Sequence, residues 1–408
     1  MSAAFASTCA LVGGGLVYAR VVADAVGPGT TRLLLLAPAL CVNVAAPLLV
    51  LDPEAEPLFS AIAVANFSWW SNFKLIALAA GRGQLTRPAL SAPAFVALAA
   101  LPVRLADERV ERSSRGDSNR DRTRVREHRR ADPHTSRDAI LGFACKLAAL
   151  WCCVSVALPA LDARQVGERR DAHLGRAALV HARSIQSTKN VTYAVALYAF
   201  LGAMFDLGAL FAFAACGVRL ARHFDLPFLA TSFGDFWGAR WNLVAGASLR
   251  DAVYAPITEG RFFREGEARG RLAREAKEDG ASREKRMTKK IVGVFACFAV
   301  SGAMHEFVLW ALEGRSSRSG SRAIGWEWFA FFFLQAPLVC LEAARAPSSP
   351  TPKPNPRGAF ATRLARNGAF LVAQLALADA LFFPPVARRA LDARIVADVR
   401  KVLGLQTP

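Results

Sequence analysis

The chain predicts an all-α fold, a polytopic bundle of about eight to nine membrane-spanning helices, and three observations predict it. Apolar residues gather into runs near the roughly 20 residues a helix needs to cross a hydrocarbon core about 30 Å thick. Hydrophobic residues make up 53% of the 408 positions and mean hydropathy is +0.25, more apolar content than a soluble core requires. Most charged residues fall between the runs, where they need not be taken out of water.

In order, the first run is Ala3 to Val26. No basic side chain precedes Arg20, so the basic n-region of a cleaved signal peptide is lacking and the run is expected to persist as a first span. Leu33 to Leu51 and Leu58 to Ala80 follow. The fourth run, Ala89 to Leu105, is short and carries Pro93 and Pro102. It reads either as a span or as a re-entrant segment, because a helix broken at membrane depth needs surrounding protein to satisfy the freed backbone groups. Then come Ala139 to Ala160, Val191 to Val218, Ile291 to Leu312, Trp326 to Ala344 and Leu364 to Phe383.

Three connectors, 104–138, 259–290 and the Pro-rich 347–356, are densely charged or proline-rich and expected to be mobile. Orientation is usually read from Lys and Arg asymmetry, yet both neighbours of the fourth run are basic: Arg82 and Arg87 precede it and an Arg-rich loop follows. Either that run does not cross or the rule fails there. The acidic loop Asp52 to Glu56 is expected on the non-cytosolic side.

Lysine and arginine total 51 against 33 acidic residues, a net charge of +18. In a chain that lives at a membrane surface, this points to anionic headgroups or the phosphates of a soluble donor rather than nucleic acid. The eight cysteines all fall in apolar runs and read as free thiols, with no metal site expected. Walker loops and nucleophile elbows are lacking. Lys74, Lys146, Asp206 and Asp379 lie in the runs and each costs roughly 2.5–3.5 kcal/mol at a span centre, so each is expected to have a partner or a wet cavity.

One histidine, His305, sits inside an apolar run, in Ser301-Gly-Ala-Met-His-Glu306. Gly302 and Ala303 would permit close helix approach. In isolation the pattern fits a hydrogen-bonded structural histidine as well as a general base. Glu306 points about 100° away on a helix and is a poor partner, whereas Ser301, one turn back, is better placed. Upstream, Thr231-Ser-Phe-Gly-Asp-Phe-Trp-Gly-Ala-Arg-Trp-Asn242 is neither a good span nor a good loop. If helical, it lines up Phe233, Trp237 and Trp241 as an interfacial stripe and lets Arg240 stack on Phe236. Asn242 then offers two donors and an acceptor at the depth where a polar reacting group meets a lipid chain.

At these residues the chain resembles the plant-type wax synthase branch of the membrane-bound O-acyltransferase superfamily. Asp235-Phe-Trp-Gly-Ala-Arg-Trp-Asn-Leu243 is similar to the family's signature, continued by Leu249-Arg250, Val253-Tyr254 and Pro256. Ser301 to Glu306 is similar to its histidine block, Ser68-Trp-Trp-Ser-Asn-Phe-Lys-Leu75 with Gly81-Arg-Gly-Gln-Leu85 to an early motif, and Phe382-Phe-Pro-Pro385 to its last-helix ending. Ala239, Ala303, Gln84 and Gln335 depart from the pattern, the last standing where the family often has histidine.

The resemblance implies acyl transfer from acyl-CoA, as co-substrate and without a cofactor, to a lipid hydroxyl at the endoplasmic reticulum membrane. His305 and Asn242 become the expected catalytic pair, and Asp235, Trp237, Arg240 and Trp241 the expected substrate-binding residues. A long-chain fatty alcohol is the leading acceptor; sterol or diacylglycerol is the alternative. A non-catalytic transporter or scaffold is the alternative of a different class.

Overall fold

The computed structural model describes residues 2–87, 90–106, 133–170, 176–264, 283–313, 325–345 and 356–405. Helices dominate. In chain order they are α1 (Ala3–Ala25), α2 (Thr30–Val50), α3 (57–79), α4 (Ala92–Ala100), α5 (Ser136–Gln165), α6 (Arg176–Cys216), α7 (243–259), α8 (Arg283–Ala311), α9 (Glu327–Phe333), α10 (Gln335–Arg345), α11 (356–388) and α12 (Leu391–Val402). Seven helical stretches among the described residues are long and apolar enough to cross a membrane: α1, α2, α5, α6, α8, α9 with α10, and α11. The continuous α3, about 34 Å long at 1.5 Å per residue, has the length of an eighth. Large apolar side chains such as Leu49, Phe211 and Val372 point outward from these helices. In water that surface would drive association; in a bilayer it faces lipid. The protein is a polytopic all-α membrane protein.

α4 explains the conflict in the charge pattern. Its nine residues reach about 14 Å, half the hydrocarbon core. Ser91 caps its start and Pro102 follows its end. Arg87, before the segment, donates to the carbonyl of Ala106, after it, at 3.1 Å, so the two flanks meet at one end of the bundle. The segment is re-entrant, and its basic neighbours lie on the same side. Such a half-helix leaves carbonyls at membrane depth, and buried or half-buried polar side chains take them up. Asn66 donates to Ala100 (2.5 Å), Lys74 to Leu98 (2.6 Å) and Leu101 (2.5 Å), and Gln84 to Val103 (3.0 Å). Lys74 thus caps the C-terminal end of this half-helix, where carbonyls lack partners of their own.

Proline breaks elsewhere follow the same rule. Pro47 removes the N–H that would bond the Asn43 carbonyl, and the Ser68 hydroxyl donates to it at 3.0 Å. The Asn43 amide donates to Asn72 (2.9 Å) and Ser71 (3.2 Å), binding α2 to α3. Between α5 and α6, Lys146 pairs with the buried Asp206. Gly142 and Gly202 leave room for that pair, since an added Cβ would collide with it. Asp379 accepts from Asn190 (2.9 Å) and Ser187 (3.3 Å).

Parts of the segments expected to be mobile are structured. Residues 107–132, 265–282 and 346–355 lie outside the described residues, but the flanks of the expected mobile segments are built in. Pro133–His134 pairs antiparallel with Leu220–Ala221. A capping box of Thr135 and Asp138 then starts α5 at Ser136, and α8 already begins at Arg283. At the other flank, Arg82 donates to Glu259 at 2.9 Å and Arg264 donates to it at 2.8 Å. Burial alone would raise the Glu259 carboxyl, but these hydrogen bonds and charges outweigh it and hold it at about 2 against a usual 4.5. A depressed carboxyl stabilises the fold above its unfolded value, and that contribution is lost as pH falls from about 4.5 towards 2. Glu259→Gln is therefore expected to lower stability by about 2 kcal/mol at pH 7, with the gap closing as pH falls below about 4, as read by thermal unfolding in detergent.

Candidate active site

Two faces of α8 do different work. Cys297, Ser301 and His305, spaced four residues apart, share one face and all line a cavity of about 950 Å³. Gly302, Glu306 and Leu309 form the packing face. A Cβ at Gly302 would lie 2.8 Å from the Phe329 Cα and 2.9 Å from its carbonyl oxygen, so only glycine allows α9 this close. Ala303 is exposed and takes no part in this approach, contrary to expectation.

Glu306 is buried and accepts from the backbone N–H groups of Trp328 (2.8 Å) and Phe329 (3.1 Å). These are the second and third residues of α9, whose preceding residue, Trp326, supplies no side-chain cap. A carboxylate from the neighbouring helix replaces the cap and complements the dipole. Glu306 is thus spent on architecture.

The imidazole of His305 is held on three sides. Phe332 of α9 stacks on it with centroids 3.8 Å apart and planes at 21°, Trp69 of α3 meets it edge-on at 4.8 Å, and Trp328 at 5.9 Å. Nδ1 lies 2.7 Å from the Ser301 carbonyl oxygen. A carbonyl only accepts, so Nδ1 carries the proton in this bond and Nε2 keeps its lone pair. That is the tautomer a general base needs.

The segment 231–242 does not form the expected stripe. It makes a single turn at Phe233–Asp235, a wide turn at Phe236–Arg240, and then extends at Trp241. Phe233 packs on Phe370, Trp237 on Phe298 and Phe332, and Trp241 stacks on Phe236 at 5.4 Å. Arg240 does not stack on Phe236; it pairs with Asp235 at 2.9 Å and donates to the Asp225 carbonyl at 3.0 Å. Asp235 and Arg240 are absent from the cavity lining and lock the turn, because leaving either charge alone in a buried site would be costly. The loop closes on its own start through Leu243 N–H to the His223 carbonyl.

That closure places Asn242 in the left-handed region, φ 39°, where asparagine is among the most tolerant side-chain-bearing residues. Its Oδ1 accepts from Ala245 N–H at 3.1 Å and caps α7. The oxygen is committed, so towards a ligand Asn242 is a donor through Nδ2. His305, Asn242, Trp237 and Trp241 line one cavity together. Trp69 and Phe332 also line it; sequence reasoning gave them no role, although the Trp69-Trp70 pair in the early motif was the available signal. Towards the end of the bundle where 81–87, 104–106 and 219–221 meet, Arg87, Arg104 and Arg250 contribute to the wall. Asp251 lines it too: burial pushes its carboxyl up, and Arg250, Arg264, Arg82 and Arg104 pull it back.

Residues 220–334, which carry both Asn242 and His305, match the family described as Membrane bound O-acyl transferase family. Over 402 residues the chain is 26% identical to the Long-chain-alcohol O-fatty-acyltransferase of Simmondsia chinensis, covering 95% of this chain and 93% of that protein. In residues 220–334 the chain is similar to the membrane-bound O-acyl transferase family. It is also 36% identical over 128 residues to Probable long-chain-alcohol O-fatty-acyltransferase 7 of Arabidopsis thaliana. It is 25% identical over 349 residues, 84% of the chain, to Acyl-CoA–sterol O-acyltransferase 1 of the same plant. The matched stretch spans only 30% of Probable long-chain-alcohol O-fatty-acyltransferase 7 and 46% of Probable long-chain-alcohol O-fatty-acyltransferase 2.

Proposed function

We propose that this membrane-bound O-acyl transferase moves a fatty acyl group from acyl-CoA to the hydroxyl of a long-chain fatty alcohol, giving a wax ester and free CoA. The observation that carries the reading is His305, with Nδ1 tied to a carbonyl, in the same cavity as the donor amide of Asn242. Nε2 takes the alcohol proton as the oxygen attacks the thioester carbon. The Asn242 amide stabilises the oxyanion that forms. Collapse of the tetrahedral intermediate breaks the C–S bond, and the imidazolium returns the proton to the departing thiolate. No covalent acyl-enzyme and no cofactor are needed, since holding both substrates in one chamber supplies much of the rate.

The wall chemistry suits such a pair of substrates. Aromatic rings from Trp69, Trp237 and Phe332 line the part near His305, where an acyl or alkyl chain would lie. Arg87, Arg104 and Arg250 suit the phosphates of the donor. With the basic end of the bundle on the cytosolic side, the donor enters from solution and the alcohol from the bilayer. We place the reaction at the endoplasmic reticulum membrane.

The sterol acyltransferase relative supports a second acceptor class. Expression in a host lacking neutral-lipid synthesis, followed by lipid profiling with fatty alcohol, sterol and diacylglycerol supplied in turn, tests both. Wax ester is the expected product, and steryl ester alone would move the assignment to the second acceptor. No ester with any acceptor, from protein accumulated in membranes, would overturn the reading in favour of a transporter or scaffold.

A further inference from the structure

A buried amide stands behind the wall of this chamber. Pro337 lacks the N–H that would bond the Phe333 carbonyl, and the span breaks at Leu334 between α9 and α10. Gln335, the first residue after the break, is fully buried and lies outside the cavity lining. Its Nε2 donates to the Phe331 carbonyl at 3.3 Å and its Oε1 accepts from the Trp237 indole N–H at 2.9 Å. The Trp237 ring meets Phe332 at 5.7 Å and 64°, and Phe332 is the ring stacked on His305. One side chain thus ties a helix break, a cavity-wall indole and, through one further ring, the imidazole.

We infer that Gln335 is a positioning residue: by fixing the Trp237 indole it sets the seat of Phe332 under His305 and the width of the chamber beside it. The inference rests on the proposed role of His305. Leaving the Trp237 indole N–H without its acceptor in this apolar wall costs free energy, so the ring orients to keep Gln335. Gln335→Leu takes the acceptor away at similar volume; the indole then turns to find another or stays unsatisfied, and the chamber wall moves.

A double-mutant cycle on the purified full-length protein, normalised to the folded fraction, tests this. Gln335→Leu is expected to lower kcat/KM for fatty alcohol about tenfold. Trp237→Phe lowers it by itself, and adding Gln335→Leu to it changes the value by less than about twofold. Both single variants are expected to shift the ratio of rates on short and long alcohols in the same direction, which a general loss of stability would not do. Gln335→His, whose ring nitrogen can accept from the indole, is expected to keep near-native preference. Additive losses, or an unchanged chain-length ratio in Gln335→Leu, would overturn the inference. The thermal-unfolding arm of the cycle needs no substrate: coupling between the two positions there, in a protein without transferase activity, would overturn the function alone.

Discussion

His305→Ala is expected to lower kcat/KM for acyl transfer by about two to four orders of magnitude, measured as CoA release dependent on added fatty alcohol. The physical reason is specific to one nitrogen. Nδ1 is occupied by the Ser301 carbonyl 2.7 Å away, so the basic lone pair sits on Nε2 of a residue that lines the chamber. Among the described residues no other histidine lines it, and Asp251, the one carboxylate among them that does, sits in the stretch of wall shared with Arg250 and Gly83. His305→Gln keeps a polar group of related size and is expected to be equally inactive, which separates proton transfer from packing. Asn242→Asp is the companion measurement. Aspartate still caps α7 through Ala245 N–H but has no proton to donate, so activity is expected to fall about 100-fold or more while thermal unfolding barely changes. Full activity in well-folded His305→Ala would remove the base from the mechanism.

Much of the bundle is legible in composition, because crossing a bilayer demands long apolar runs and little else. α1, α2, α5, α6, α8, the α9 and α10 pair and α11 all fall where the apolar runs lie. What composition cannot distinguish is a run that crosses from one that turns back. Ala89 to Leu105 is short, carries two prolines and has basic neighbours, which leaves a span and a re-entrant segment both open, and the meeting of Arg87 with Ala106 decides between them. The site divides along a similar line. His305 and Asn242 stand out because polar groups at membrane depth need a reason. The split between Asn242 and the Asp235–Arg240 pair was not legible, since it depends on whether the segment is a regular helix. Helical spacing places Arg240 beside Phe236, whereas the wide turn hands it to Asp235 and leaves Trp241 to stack there. Phe332 and Trp69 were hidden for another reason. Apolar rings in apolar runs carry no chemical signature, and what they do arises only where α3, α8 and α9 converge.

Gly302→Val is expected to damage stability and activity together, by at least about 2 kcal/mol in unfolding free energy and at least about tenfold in kcat/KM. A Cβ at this position would meet the Phe329 Cα at 2.8 Å and its carbonyl at 2.9 Å, and both are backbone atoms that cannot rotate aside. α9 must therefore move as a body. Its movement pulls the Trp328 and Phe329 N–H groups from Glu306, leaving a buried carboxylate without its two donors. It also lifts Phe332 from His305, so the same displacement that unseats the cap unseats the base. Ala303→Val, one residue on, provides the contrast: its side chain is exposed, and extra methyl groups there meet lipid at little cost. Thermal unfolding in detergent and alcohol-dependent CoA release, measured on both variants, read the two effects. A Gly302→Val protein with native stability and native turnover would mean that α8 and α9 do not cross as closely as the Phe329 backbone requires.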